Sequence, residues 1–249
     1  MATHWDVTSG FLGGTLSAWR GAQSFAPARK RPEKLLQLYD MENCPYCRLV
    51  REVLTELDLD AEIRPCPKDG TRFRPQAKAL GGKKLFPFLV DPNTGTQLYE
   101  SADIIEYLSR SYQRRVRSMR PIALAGSFLM SGLRSNKGIR ARPSKAPERP
   151  LELFSFEASP YSRPVRELLC ELEIPYVLRN TGKGAWTDMG PESFRDKLFK
   201  ARKDTGRNRK ILLERTGRVQ VPYLIDPNTG TEMYESTDIV AYLEKTYAA

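Results

Sequence analysis

The chain repeats itself. Asp91–Leu108 reads DPNTGTQLYESADIIEYL and Asp226–Leu243 reads DPNTGTEMYESTDIVAYL, identical at 13 of 18 positions. Upstream, Cys44–Leu57 (CPYCRLVREVLTEL) and Ser159–Leu172 (SPYSRPVRELLCEL) agree at nine of 14. A chain of 249 residues that carries the same blocks twice, in the same order, is expected to fold as two copies of one unit. The paired blocks lie 115 residues apart at the front of the repeat and 135 at the back, which places about 20 extra residues of the second copy between Tyr176 and Pro222. The expected organisation is an N-terminal arm (1–31), a first unit (32–112), a connector (113–149) and a second unit (150–249) with an insertion at about 182–220.

Within each unit the patterns follow one order. LLQLYD and LELFSF alternate as short β-prone strands. A proline follows at the expected first turn of a helix, where its missing N–H costs nothing. Val50, Val53, Leu54 and Leu57 then fall at helical spacing, as do Val165, Leu168, Leu169 and Leu172. A second strand (AEIRP; YVLRN) and a polar helical stretch come next, then a hairpin turned by Asp-Pro-Asn-Thr-Gly. Ser101 and Ser236 are expected to cap the closing helices. The order βαβαββα, with a Cys-x-x-Cys motif after the first strand, predicts an α/β fold of two tandem thioredoxin-like units. Trp5, Phe11, Leu12, Leu16 and Trp19 of the arm are expected to pack on a unit surface, and Pro121–Leu133 to form a short apolar helix in the connector.

Charge is distributed unevenly. Of the net +10, +9 falls between Tyr112 and Arg149, with ten Lys/Arg against Glu148 alone. The 114–142 segment could therefore meet an anionic membrane face or a membrane-protein complex, while Lys137–Pro150 has the composition of a solvated linker. Nucleic acid is disfavoured as a partner, because the basic run lacks interleaved aromatics. No apolar run reaches the roughly 20 residues that span a bilayer, and the first residues resemble neither a secretory signal nor a transit peptide. Four cysteines are too few and too irregular for a secreted disulfide framework. The only histidine, His4, lies in the arm, which argues against a histidine general base.

Cys44-Pro-Tyr-Cys47 lies where a strand gives way to a helix. Free N–H groups and the dipole at a helix N-terminus stabilise a thiolate, and Arg48 adds positive charge. Cys44 is the expected nucleophile and Cys47 the resolving thiol. No metal site is expected, because Ser159 and Ser162 stand where a second cysteine pair would be needed. Phe86-Pro87 and Val221-Pro222 each precede a strand-like run, a place for a cis peptide whose backbone groups face a substrate. Glu100-Ser101 and Glu235-Ser236 open the closing helices. A helix N-terminus with a hydroxyl suits a carboxylate, and an adjacent Glu an ammonium group, matching the γ-glutamyl end of glutathione. Cys66, after the second strand, is expected on the same sheet edge as Cys44, either as a third redox thiol or as a bystander. Cys170 reads as structural.

The CPYC helix, FPFLVD and YESADIIEYL together resemble the N-terminal, glutathione-binding domain of glutathione transferases, although CPYC itself is a glutaredoxin motif. The tandem arrangement resembles plant and algal chloroplast proteins of the thioredoxin superfamily. The resemblance implies glutathione as cofactor, Cys44 as nucleophile, Phe86 and Pro87 facing the glutathione cysteine, and Glu100 and Ser101 on the γ-glutamyl end, with Tyr46 and Arg48 completing the site. Ser159, Tyr161, Val221, Pro222, Glu235 and Ser236 form the matching set in the second unit, where Ser159 cannot make a disulfide. A location in the chloroplast stroma or at the thylakoid follows from the resemblance alone. No helical pocket domain follows either unit, which argues against conjugation of small electrophiles. The expected function is glutathione-dependent thiol–disulfide exchange with protein thiols or mixed disulfides. The alternative is a non-catalytic assembly, repair or interaction factor that docks on a thylakoid or photosystem membrane complex.

Overall fold

The computed structural model describes residues 21–112, 137–188 and 204–249. The arm aromatics, the Pro121–Leu133 segment and residues 189–203 lie outside this range.

The first unit runs β1 (Leu36–Asp40), α1 (Pro45–Glu56), β2 (Ala61–Pro65), α2 (Phe73–Gly81), β3 (Phe88–Asp91), β4 (Thr96–Tyr99) and α3 (Ser101–Ser111). The second runs β5 (Leu151–Ser155), α4 (Arg163–Glu171), β6 (Tyr176–Asn180), α5 (Arg207–Thr216), β7 (Tyr223–Asp226), β8 (Thr231–Tyr234) and α6 (Ser236–Tyr247), with a 3-10 turn at Trp186–Asp188. Both copies are therefore the βαβαββα unit expected from the repeat. α2 and α5 each end on a left-handed glycine, Gly82 (φ 78°) and Gly217 (φ 75°), so α5 is the counterpart of α2. The extra residues of the second copy thus fall between Asn180 and Arg207, ahead of this helix.

The strands form one eight-stranded sheet in the order β4-β3-β1-β2-β6-β5-β7-β8. Each unit supplies four strands, and the units join edge to edge through β2 and β6, antiparallel, with Ala61 opposite Leu178 and Ile63 opposite Tyr176. Pairing β2 with β6 removes the two strand edges that separate units would expose. Leu36, Leu38, Val50, Leu54, Leu89 and Ile104 in one half, and Leu151, Leu153, Val165, Leu169, Leu224 and Ile239 in the other, lie in one continuous apolar core.

The near-identity of the DPNTG blocks has a physical cause. Asp91 is buried and its carboxylate gathers the turn: it accepts from the Asn93 N–H at 2.8 Å and from the Tyr107 and Tyr112 hydroxyls at 2.7 and 2.5 Å. Asp226 repeats this with Asn228, Tyr242 and Tyr247. Burial raises the carboxyl's proton affinity, but these donors outweigh it and hold Asp91 and Asp226 below their ordinary values.

Three sequence expectations change. The closing helices are capped by Glu100 and Glu235, and Ser101 and Ser236 are the first helical residues instead. In the second unit the helix begins at Arg163, because Pro164 cannot donate back to residue 160 and its ring crowds that carbonyl. Residues 137–149 are docked rather than a free linker. Lys68 bridges to Arg140, the Arg142 guanidinium pairs with Glu244 at 2.7 Å, and the Lys145 N–H bonds the Tyr247 carbonyl.

Candidate functional site

Strand directions bring the sequence-derived residues of the first unit together. β2 is parallel to β1, so their C-terminal ends share one edge, and the Cys66 N–H bonds the Asp40 carbonyl. β3 runs antiparallel with Tyr39 opposite Phe88, and β4 returns with Tyr99 opposite Phe88. Cys44, Phe86-Pro87 and Glu100-Ser101 therefore lie at one end of the sheet. Both Phe86-Pro87 and Val221-Pro222 are cis, as expected. Because β2 and β6 are antiparallel, the matching residues of the second unit lie at the opposite edge.

Cys44 occupies the cap position of α1 in extended conformation (φ −83°, ψ 124°), with Pro45 opening the helix. The Cys47 thiol donates to Cys44 Sγ. Burial works against the thiolate, but the N–H groups of Cys47 and Tyr46 and the positive charge of Arg51 favour it, and the pKa falls to about 7. Burial pushes Cys47 well up, reinforced by its hydrogen bond and proximity to Cys44. Cys44 retains 8 % exposure and Cys47 none, so the two sulfurs are unequal in both access and acidity. This inequality is the nucleophile and resolving-thiol arrangement that exchange chemistry requires.

The other site residues divide. Tyr46 is exposed at the mouth of the motif. Arg48 is buried, donates to Glu52 Oε1 at 3.0 Å and lies 4.0 Å from Glu157, so the cation acting on Cys44 is Arg51, one turn further on. Glu100 is exposed, with its backbone in a left-handed conformation (φ 63°), and Glu235 repeats it (φ 66°). Such a conformation costs roughly 1–3 kcal/mol for a residue with a side chain, and it clusters at binding sites. Cys66 sits on the expected edge but is fully buried among Tyr39, Phe73, Ala77 and Phe88, and burial raises its pKa far out of the reactive range. Cys170 is buried too, its sulfur accepting the Glu42 N–H at 3.4 Å.

The second unit keeps the shape and closes it. Ser159 is 2 % exposed, and its oxygen accepts both the N–H and the hydroxyl of Ser162, at 3.2 and 3.0 Å. The end of the N-terminal arm lies over this motif. Ala22 packs with Phe156, Ala158 and Val221, the Ala158 N–H bonds the Gly21 carbonyl, and Lys183 pairs with Ala22 and Ser24. Gly21 is left-handed (φ 72°), and an added Cβ would lie 2.9 Å from Glu157. Tyr161 is exposed, Pro222 is buried, and Glu235 accepts from Gln220 at 2.6 Å. Ser236 is half-buried at the head of α6.

Sequence reasoning missed the charged group between the units. Arg51 and Arg166, each 1 % exposed, lie among Asp40, Glu42 and Glu157. The Arg51–Glu157 contact is 2.9 Å and the Arg166–Glu42 contact 3.0 Å, a reciprocal pair across the repeat. A signal was present: a Glu two residues before each motif and an Arg seven after its first residue recur in both copies. Of the basic 114–142 segment, Arg140 is paired with Asp69 and Arg142 with Glu171 and Glu244.

A family model described as the glutathione S-transferase N-terminal domain matches residues 38–115 and 153–249, more than half of the chain. A solved structure of the Bombyx mori glutathione transferase BmGSTD1 is 26 % identical with a TM-score of 0.31, over 37 % of this chain and 42 % of that one. The BmGSTD1 complex with GTT is 26 % identical with a TM-score of 0.30, over 33 % and 38 % of the two chains. The matched parts thus span less than half of that transferase. No curated protein matches the chain. With both halves matched, the chain belongs to the glutathione S-transferase N-terminal domain family.

Proposed function

We propose that the protein is a glutathione-dependent thiol–disulfide oxidoreductase whose chemistry runs at Cys44. The observation that carries this reading is the Cys44–Cys47 pair, with one sulfur near pKa 7 that keeps 8 % exposure and a fully buried partner that donates to it. The surrounding residues fit glutathione. Glu100 and the N-terminus of α3 suit the amine and carboxylate of the γ-glutamyl end, and the Phe86-Pro87 peptide offers backbone groups to its cysteine.

In the forward step the Cys44 thiolate attacks the glutathionyl sulfur of a protein mixed disulfide. The S–S bond breaks, and the substrate protein leaves as a thiolate that takes a proton from water. Cys44 is then released from its own mixed disulfide by the thiolate of a second glutathione molecule. The sum is one protein thiol and one glutathione disulfide per turnover, with electrons and protons balanced. Where Cys44 is instead bound to a protein sulfur, Cys47 is positioned to displace it.

The pH profile tests the reading. With a pKa of about 7, roughly half of Cys44 is thiolate at neutral pH, against about 3 % for an ordinary thiol near 8.5. In a single turnover without free glutathione, release of the peptide thiol by Cys44 should fall about tenfold per pH unit below 7 and level off above it. A rate that climbs steadily to pH 9, or no turnover at all, would remove the proposal. The buried Ser159 and the arm across it lead to a second expectation. Calorimetric titration with reduced glutathione should find one site per chain, lost with Glu100→Ala plus Ser101→Ala and retained with Glu235→Ala. Two equal sites would show that the second unit is open.

A further inference from the structure

We propose that the rim beside Cys44, built by α2 and the connection from Gly82 to the cis-proline, docks an acidic segment of the protein whose disulfide Cys44 attacks. This deepens the oxidoreductase reading and rests on it.

The argument is one of unbalanced charge. Between Thr71 and Pro87 the chain carries Arg72, Arg74, Lys78, Lys83 and Lys84 and no Asp or Glu. Arg72 is spent on the carbonyls of Leu172 and Glu173 in the second unit. Arg74 donates to the Pro67 carbonyl and stacks over the Phe86 ring at 4.9 Å, and Lys83 stacks over Tyr99 at 5.7 Å, which holds both cations at the sheet edge beside the cis peptide. Lys78 and Lys84 are exposed. Among the described residues, none of these four cations has a carboxylate within ion-pair distance.

The second unit serves as an internal control. Its corresponding stretch is also rich in cations, but Arg207 pairs with Asp60 at 2.7 Å, Arg209 with Asp188 at 2.9 Å, and Arg215 with Glu232. This leaves Lys210 and Arg218, the latter stacked over Tyr234 at 4.0 Å, beside the stretch's own Glu214. Both rims expose apolar side chains: Leu80 and Leu85 in the first, Ile211 and Leu213 in the second. The degree of pairing therefore separates them: the second rim pairs three of its five cations and carries Glu214, whereas the rim of the unit that has the thiols carries no carboxylate of its own. Glutathione alone cannot balance it. Once its γ-glutamyl end is placed at Glu100 and Ser101, one glycyl carboxylate remains for four cations. Acidic residues in the molecule joined to the disulfide would complement the others, and the exposed Leu80 and Leu85 in the same stretch suit a polypeptide. The docked cysteine peptide would place its acidic residues toward Lys78, Lys83 and Lys84, with its sulfur at Cys44.

Binding by the exchange-dead full chain separates this idea from the activity. Cys44→Ser protein should bind a fluorescent cysteine peptide flanked by glutamates about tenfold more tightly than the same peptide flanked by lysines, since each rim pair contributes a fraction of a kcal/mol. The preference should vanish at about 1 M salt, where the Debye length is about 3 Å. It should also vanish on combining Lys78→Gln, Lys83→Gln and Lys84→Gln, three exposed changes. Equal binding of the two peptides, a preference that survives the triple change, or an oligonucleotide that displaces the acidic peptide at equal affinity would overturn the proposal. If the acidic preference holds while the unmutated chain reduces no glutathionylated peptide, the docking surface stands and the oxidoreductase reading falls. If the unmutated chain reduces acidic and basic substrates alike, the opposite holds.

Discussion

A Cys44→Ser chain should reduce glutathionylated peptides no faster than glutathione alone does. No other sulfur can take over. Cys47, Cys66 and Cys170 are buried, and burial raises all three thiols. The protein already contains this substitution in its second unit, where Ser159 occupies the same place and is closed. Cys47 offers a sharper discrimination. Its largest effect on Cys44 is the hydrogen bond that it donates, and a hydroxyl can replace that donor, as Ser162 does toward Ser159 at 3.0 Å. Cys47→Ser should therefore keep Cys44 near pKa 7 and retain turnover of glutathionylated substrates, while losing the internal release of protein-bound Cys44. Cys47→Ala removes the donor. A hydrogen bond to a charged group contributes about 1.5–3 kcal/mol, so the Cys44 pKa should climb by one to two units. Turnover at pH 7 should then fall by roughly 5- to 50-fold and recover at high pH. Thiolate absorbance followed through a pH titration measures the pKa directly. A Cys47→Ala chain still titrating near 7 would show that the helix N-terminus and Arg51 suffice.

Much of this site could be read without coordinates because its parts are local. A strand, a CPYC turn and a proline at the helix start fix where Cys44 sits, and the parallel return of β2 fixes the edge on which Cys66 emerges. The fate of Cys66 was not legible, because nothing in AEIRPC says that Phe73 and Phe88 close over the sulfur. The start of α4 was missed for a local reason: the match of SPYSRPVRE to CPYCRLVRE hides the proline at 164 that shortens the helix. Taking Ser101 and Ser236 as caps relied on side-chain preference, whereas a left-handed turn at Glu100 and Glu235 makes the entry. The joining of β2 to β6 left no trace in their alternation, which marks faces of a sheet but not neighbours. Arg51 and Glu157 are 106 residues apart and meet only because of that joining.

Arg51→Met should destabilise the whole chain by about 3–5 kcal/mol, the usual cost of leaving buried charges without their partner. The arginine serves Asp40 and Glu42 from its own unit and Glu157 from the other, and no water-exposed path exists for side chains that are 3 % exposed or less. Glu157 shows the linkage to pH. Burial alone would raise its pKa, but Arg166, Arg51 and Arg48 hold it at about 2, below the ordinary 4.5. A carboxyl depressed in the folded state adds stability above about pH 4.5 and loses it as pH falls toward 2. Glu157→Gln should therefore remove part of the acid-unfolding transition within that window. Because Arg51 and Glu157 touch, their changes should not add: urea unfolding of the single and double variants should give a coupling of about 0.5–3 kcal/mol. Strictly additive losses would mean that the group is a collection of separate pairs and not a joint between the halves. The same arginine lowers the pKa of Cys44, so Arg51→Met should also raise that pKa, and Glu157→Gln, which removes a nearby negative charge, should leave it at or below about 7. The Glu157 carboxylate would then matter to the joint between the halves more than to the thiolate, since it reaches Arg51 from the other unit at 2.9 Å.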